Sequence, residues 1–369
     1  MILVSCVLGL PVQAGDRIVC LGDSITDGFT YGQIIMQALH EADRPTPTVI
    51  CAGVGGDTAQ QIAKRVEETV LVYEPTIVTF CAGTNDALKN VPPDQYKAAL
   101  REIVKQVTDH GAKMILLTPC VILKKPKNAT LDAYEAAIRS VAKEYSLVVA
   151  ENRAMMQAAV NAGKTIMVSD GVHPNYAGQA LIARALLNAL GASDIPLPKR
   201  FEPKFFPGVI PQWRIRLADQ DAKKKPIRLT ESSVIQLEPD NTWQTYSLPE
   251  PIETSTDDWE EQIRRNGFAT KLQEKLGKGL VIAVADVKST TARNAWLNIG
   301  GTIETVWLNG KQIHDQNKQW TGFHAGKARI PVKLNAGSNR VVLEVAGQYL
   351  FCSITDQQVW ESDIYAKSH

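Results

Sequence analysis

"RIVCLGDSITDG", residues 17–28, sets an unbroken apolar run against an abrupt polar turn, with Ser24 just past the end of the run. A strand that is apolar at successive positions is buried on both faces, as in a parallel sheet covered by helices on each side. The runs "TVICAG" (48–53), "TIVTFCAG" (76–83), "KMILLTPC" (113–120) and "YSLVVAEN" (145–152) have the same character. Between them lie helical patterns such as "DTAQQIAKRVEETVL" (57–71) and "DQYKAALREIVKQVTDH" (94–110). The alternation predicts an α/β domain with a doubly wound parallel sheet flanked by helices, whose ligands bind beyond the C-terminal ends of the strands. Ser24 occupies such an end, where an activated nucleophile and an ordinary turn serine read alike.

The chain changes character near residue 200. All seven tryptophans follow that point, and "SDIPLPKRFEPKFFPG" (193–208) carries four prolines without helical or strand periodicity, as a linker does. Beyond it come short alternating runs: "GLVIAVADVK" (279–288), "ARNAWLNI" (292–299), "TIETVWLNGKQIH" (302–314) and "ARIPVKLNAGSNRVVLEVAG" (328–347). Asn309-Gly310 between two such runs signals a type I′ hairpin, and the whole predicts an all-β sandwich of jelly-roll type. "DDWEEQIRRNGFATKLQEKLG" (257–277) reads as one inserted helix. The expected organisation is therefore a catalytic α/β domain over 15–192, a linker over 193–208 and a β-sandwich over 209–369.

Residues 1–14, "MILVSCVLGLPVQA", read as a signal peptide, with Val12-Gln13-Ala14 as the cleavage site, although the usual positive n-region is missing. A buried first strand is the alternative. Export would place the protein in the periplasm or outside the cell. No later run reaches the ~18 apolar residues of a membrane span. With 40 Lys+Arg against 39 Asp+Glu, the formal charge of +1 provides no field for nucleic acid or acidic membranes, and a neutral small molecule or polymer fits better. Cys20, Cys51, Cys81 and Cys120 each sit in or at the end of an apolar run, as small buried hydrophobes do, and Cys352 has no evident partner. Neither CxxC nor HExxH occurs, so no metal site is expected.

Ester hydrolysis by serine needs a base against the hydroxyl, a group to orient the base, and donors for the oxyanion. Of six histidines, His40 and His110 belong to helix patterns, His314 and His324 to the β half, and His369 is the last residue. His173 remains. It stands before a helix that Pro174-Asn175 suits as a start, and Asp170, three residues earlier, is close enough to accept its Nδ1 proton. A turn with a capping aspartate would look similar. "CAGVGGDTA" (51–59) places glycines where a strand turns into a helix, so that a backbone N–H such as that of Gly56 can face a ligand. A dinucleotide fingerprint would require glycine at 58, which is Thr, so no cofactor is expected. Asn85 in "CAGTNDAL" (81–88) is either a side-chain donor or part of an Asn-Asp turn.

These blocks, "GDSIT", "GVGGDT", "GTND" and "DGVHP", stand in the order of the GDSL esterases, also called SGNH hydrolases, and the chain resembles that family over roughly residues 16–192. The resemblance implies a flavodoxin-like α/β fold. It implies Ser24 as nucleophile, His173 as base oriented by Asp170, and an oxyanion hole made of the Ser24 and Gly56 N–H groups and the Asn85 side chain. Thr26 breaks the G-x-S-x-G elbow of the common α/β-hydrolases. Asp23, Asp27 and Asp86 are read as structural. The second half resembles, more loosely, the galactose-binding-like domains of carbohydrate-active enzymes. With export, the combination implies a carbohydrate O-acetylesterase acting on an acetylated glycan. Its rivals are a lysophospholipase or thioesterase of the same fold and a glycan-binding protein with a silent esterase half. If the chemistry lies wholly within 16–192, a chain ending near Pro198 is expected to keep hydrolysing a small ester.

Overall fold

The computed structural model of the protein describes residues 9–124, 127–248, 259–315 and 328–356. They fall into two compact units. The first holds 9–204 and, from much later in the chain, 259–262; the second holds 205–248, 263–315 and 328–356. The boundary at Lys204 thus falls inside the expected linker stretch.

The first unit is built on five parallel strands, β1 (Arg17–Gly22), β2 (Thr48–Gly53), β3 (Ile77–Cys81), β4 (Lys113–Leu117) and β5 (Val148–Ala150). Their order is β2-β1-β3-β4-β5, a doubly wound sheet as expected from the apolar runs, in the flavodoxin-like order that the family resemblance implies. Around the sheet stand α1 (Ser24–Asp27), α2 (Thr30–Glu41), α3 (Ala59–Ala63), α4 (Val66–Thr69), α5 (Thr84–Leu88), α6 (Pro93–Asp109), α7 (Asn128–Tyr145), α8 (Asn152–Asn161) and α9 (Tyr176–Ala189). The helices pair, α2 with α9 and α6 with α7, on their apolar stripes. Leu100, Ile103, Val104 and Val107 of α6 are buried completely, each worth about 1.5–3 kcal/mol of burial. Chain order reverses between β1 and β3, which opens a crevice at their C-terminal ends, and Ser24 and Asn85 follow those two ends.

Two glutamines tie down the proline-rich stretch. Gln37 Oε1 accepts the Glu202 N–H (2.9 Å) while its Nε2 donates to the Arg200 carbonyl (2.7 Å). Gln33 does the same with Lys204, accepting its N–H at 2.8 Å and donating to its carbonyl at 3.1 Å. Both side chains are buried on α2, so the backbone polar groups of a segment outside any helix or sheet are satisfied by amide side chains. At the other end of the unit, the Leu10 N–H donates to the Ala189 carbonyl (2.8 Å); residues 1–8 of the expected signal lie outside the described residues.

The second unit is antiparallel throughout. Its strands are β6 (Gln212–Leu217), β7 (Gln244–Ser247), β8 (Val281–Ser289), β9 (Arg293–Leu308), β10 (Lys311–Asp315), β11 (Ala328–Leu334) and β12 (Gly337–Thr355). They run in the order β10-β9-β12-β8-β6-β7, with β11 on β9. β12 shifts register against β9 between Glu344 and Val345 and again between Val345, opposite Ile303, and Leu350, opposite Gly301; two buried clusters, one large and one small, form the core, consistent with a sandwich. Asn309 (φ 51°) and Gly310 (φ 84°) make the expected hairpin between β9 and β10. Trp213, Trp243 and Trp307 are buried packing residues. Cys20, Cys81, Cys120 and Cys352 are buried, Cys51 is half-buried, and all five are free.

Besides the short α10 (Glu231–Ile235), the stretch expected to form one helix forms two, α11 (Trp259–Arg265) and α12 (Leu272–Leu276). Gly267 at φ 102° breaks the pattern, and Ala269 exchanges backbone hydrogen bonds with Leu350 in a bridge that a continuous helix could not make.

Candidate active site

Ser24 is the first residue of α1, and its placement starts from the glycines around it. A Cβ on Gly22 would lie 2.1 Å from Thr26 Oγ1, and one on Gly53 2.2 Å from the Asp27 nitrogen, so both strands must end without side chains for α1 to sit on them. Asp23 caps the turn by accepting the Ile25 N–H (3.0 Å). As the first helical residue, Ser24 has no intrahelical acceptor for its own N–H.

His173 is carried by a small hairpin rather than a loose loop. The Val168 N–H donates to the His173 carbonyl (2.9 Å), the Asn175 N–H to the Ile166 carbonyl (3.1 Å), and the Leu123 N–H to the Gly171 carbonyl (2.8 Å). Asn175 then caps α9 by accepting the Gly178 N–H (3.1 Å). The hairpin brings His173 Nε2 to 2.8 Å from Ser24 Oγ and leaves Nδ1 2.6 Å from Asp170 Oδ2. The other Asp170 oxygen accepts the N–H groups of Val172 (2.8 Å) and His173 (2.9 Å). Partial burial works to raise the Asp170 pKa, but the hydrogen bonds from the His173 ring and the two N–H groups outweigh it and hold the carboxyl below its usual value. An ionised Asp170 fixes the proton on Nδ1 and leaves Nε2 as an acceptor toward Ser24.

The loop after β2 lies against Ser24: a Cβ on Gly55 would stand 3.8 Å from the Ser24 Cβ. Gly56, next along, has φ 85°, a left-handed conformation that favours glycine. Asn85 Nδ2 donates to the Asp57 carbonyl (3.0 Å), and Asp86 accepts the Ala59 N–H (3.1 Å), so the turn after β3 braces that loop. Thus Ser24, His173 and Asp170 stand in one hydrogen-bonded line, and Gly56 and Asn85 belong to the loop after β2 and to α5, which are linked to each other.

Sequence reasoning missed Arg65. Its guanidinium donates to the Gly22 carbonyl (2.9 Å), the Ala52 carbonyl (2.9 Å) and Asp57 Oδ2 (2.7 Å), joining the ends of β1 and β2 to the glycine loop. In "KRVEE" (64–68) it looks like part of a solvated helix face, and only the sheet order reveals its target. Behind the site, burial pushes Asp23 up to about 7, Asp27 to about 8 and Asp86 to about 6.

Residues 20–181 match the GDSL-like Lipase/Acylhydrolase family. The N-terminal half is a GDSL/SGNH hydrolase domain. The enzyme is a carboxylic ester hydrolase. The chain is 28% identical to an acetylxylan esterase of Geobacillus stearothermophilus over 213 residues, covering 49% of this chain and 97% of that protein. It is 27% identical over 175 residues to thioesterase 1/protease 1/lysophospholipase L1 of Escherichia coli K12, covering 46% of this chain and 81% of that protein. Among solved structures, LAE5, an α/β hydrolase from the metagenome of Lake Arreo, Spain, aligns with a TM-score of 0.47 at 25% identity, over 50% of this chain and 99% of its own. The family match ends before the β unit, within which no helix, nor any elsewhere among the described residues, is long and apolar enough to cross a membrane.

Proposed function

We propose that the protein is a carbohydrate O-acetylesterase in which Ser24 is the nucleophile, His173 the general base and Asp170 the residue that orients it. The observation carrying this reading is the continuous line from Ser24 Oγ to His173 Nε2 (2.8 Å) and from Nδ1 to Asp170 Oδ2 (2.6 Å). His173 takes the hydroxyl proton as Oγ attacks the acetyl carbonyl, then gives it to the departing sugar oxygen. Water attacks the acetyl-enzyme by the same route in reverse, releasing acetate. The oxyanion is held by the Ser24 and Gly56 N–H groups and by Asn85. One N–H of the Asn85 amide is engaged by the Asp57 carbonyl, which orients the amide and leaves its second N–H for substrate.

Acetyl transfer from a glycan is favoured because the alignment with the acetylxylan esterase spans nearly that whole protein. The likeness to a lysophospholipase and thioesterase favours the rival, long acyl chains. In this reading the β unit is a galactose-binding-like domain and the N-terminal stretch directs export to the periplasm or beyond. Trp213, Trp243 and Trp307 are buried and are left out of any sugar contact. The test is acetate release from a panel of acetylated polysaccharides beside short- and long-chain acyl esters, with Ser24→Ala as control. Preference for long chains would overturn the acetyl reading, and activity surviving in Ser24→Ala would overturn the triad.

A further inference from the structure

The catalytic unit contains one short piece from far downstream, and its last residue is buried against the site. Gln262 is 2% exposed, and it groups with the first unit, whereas Ile263 belongs to the second. Its Nε2 donates to the Pro174 carbonyl at 2.8 Å, one residue past His173. Its Oε1 accepts from Gln179 Nε2 at 3.2 Å, and that same Nε2 reaches the Ile25 carbonyl, one residue past Ser24, at 3.4 Å. Carbonyl oxygens only accept, so Pro174 and Ile25 together fix which way round both amides stand. A path of buried hydrogen bonds therefore runs from the residue after the base to the residue after the nucleophile, through Gln262.

Gly28 supplies the second, independent observation. Its φ of −63° and ψ of −18° are ordinary helical values, so the backbone does not call for glycine here. Space does: a Cβ at position 28 would lie 2.7 Å from Gln262 Oε1. The glycine that ends the nucleophile turn makes room for an amide 234 positions later in the chain, whose two hydrogen bonds leave it nowhere to retreat.

We infer that Gln262 is a positioning residue for the Ser24–His173 pair, setting the distance between the nucleophile turn and the histidine hairpin. The inference rests on the triad reading above. A misplacement of about 1 Å between reacting groups can cost on the order of 100-fold in rate. Gln262→Met keeps the length and loses the hydrogen bonds. On a small acetyl ester, well below the melting temperature of the variant, it should lower kcat about 10- to 100-fold and leave KM within about twofold. Gly28→Ala should lower kcat in the same way by displacing the amide. Combined with Gln262→Ala, which removes the clash, Gly28→Ala should add nothing further. If Gln262→Met does not fold, the Gly28 pair carries the test by the same criterion. Wild-type kcat in Gln262→Met, or losses of Gly28→Ala and Gln262→Ala that multiply, overturn the inference. Ser24→Ala, assayed alongside, separates the two claims, since activity surviving there sinks the triad itself, while an inactive Ser24→Ala beside an unaffected Gln262→Met sinks only the role of Gln262.

Discussion

The two sides of the site use carboxylates in opposite ways. On the histidine side, Asp170 has a side chain 43% exposed, receives three hydrogen bonds and is held below its usual pKa. On the nucleophile side, Asp23 and Asp27 are buried, and each keeps one oxygen without a partner among the described residues. In the proposed triad, the carboxylate that has to stay charged to orient the base is kept near water and surrounded by donors. Those that only shape the backbone under Ser24 are sealed off, and burial drives them toward the neutral form. Under that proposal, proximity to Ser24 does not mark the carboxylate that orients the base.

The largest effects should come from breaking the line itself. Ser24→Ala or His173→Ala should each lower kcat by about 10⁴-fold or more, and the double variant should be little worse than either, because the two act as a unit. Losses that multiply would separate them. Asp170→Asn keeps the shape but lets Nδ1 lose its preferred proton, at a cost of about 10³- to 10⁴-fold. Asp23→Asn and Asp27→Asn should cost far less kcat, and a loss matching that of Asp170→Asn would erase the contrast between the two sides.

Next in size is Asn85→Ala, expected to lower kcat about 10²- to 10³-fold with little change in KM, the range for one oxyanion donor. A variant that melts earlier but keeps its kcat would return Asn85 to the role of a turn residue that holds the Asp57 carbonyl.

The four blocks at the strand ends were legible because each is local. Ser24 with its flanking glycines, or Asp170 and His173 three residues apart, carry their geometry within a few residues, and the apolar runs order the strands that gather them. What stayed hidden depends on partners far along the chain. The stretch 193–208 has the composition of a linker, yet Glu202 and Lys204 are clasped by Gln33 and Gln37, which in sequence are two polar residues in a helix. Gln262 sits in an unremarkable charged helix, and Gly28 looks like a turn glycine until the amide beside it is seen. In contrast, Gly267 could have divided the 257–277 helix at the sequence level. These residues also change an expectation. A chain ending near Pro198 lacks both the clasped segment and Gln262, so on a small ester it should lose at least the 10- to 100-fold tied to Gln262 rather than keep full activity. Full kcat in that fragment would show that the unit is complete without them.

The remaining effect is on stability rather than on rate, and it follows from the sealed carboxylates. Asp86, Asp23 and Asp27 have folded pKa values of about 6, 7 and 8, all above the 3.8 of an unfolded aspartate. A folded state that binds protons more tightly is favoured most below the unfolded pKa, and the advantage is lost as pH rises through the folded values. Each such group costs about 1.4 kcal/mol per pH unit between its two pKa values. Asp170, whose pKa is lowered, works the other way, but its contribution is complete once the pH is above the unfolded value and adds no slope beyond it. The melting temperature of the first unit should therefore fall steadily from about pH 5 to about pH 8. Circular dichroism at 222 nm follows that unit, because every described helix longer than seven residues lies in it. Asp27→Asn, neutral throughout, should flatten the upper part of the slope, between about pH 7 and 8, while the contribution of Asp86 persists lower down. A melting temperature that does not change over this range, or an Asp27→Asn variant with an unaltered slope, would mean that these aspartates are charged in the folded protein, and the contrast with Asp170 would then rest on geometry alone.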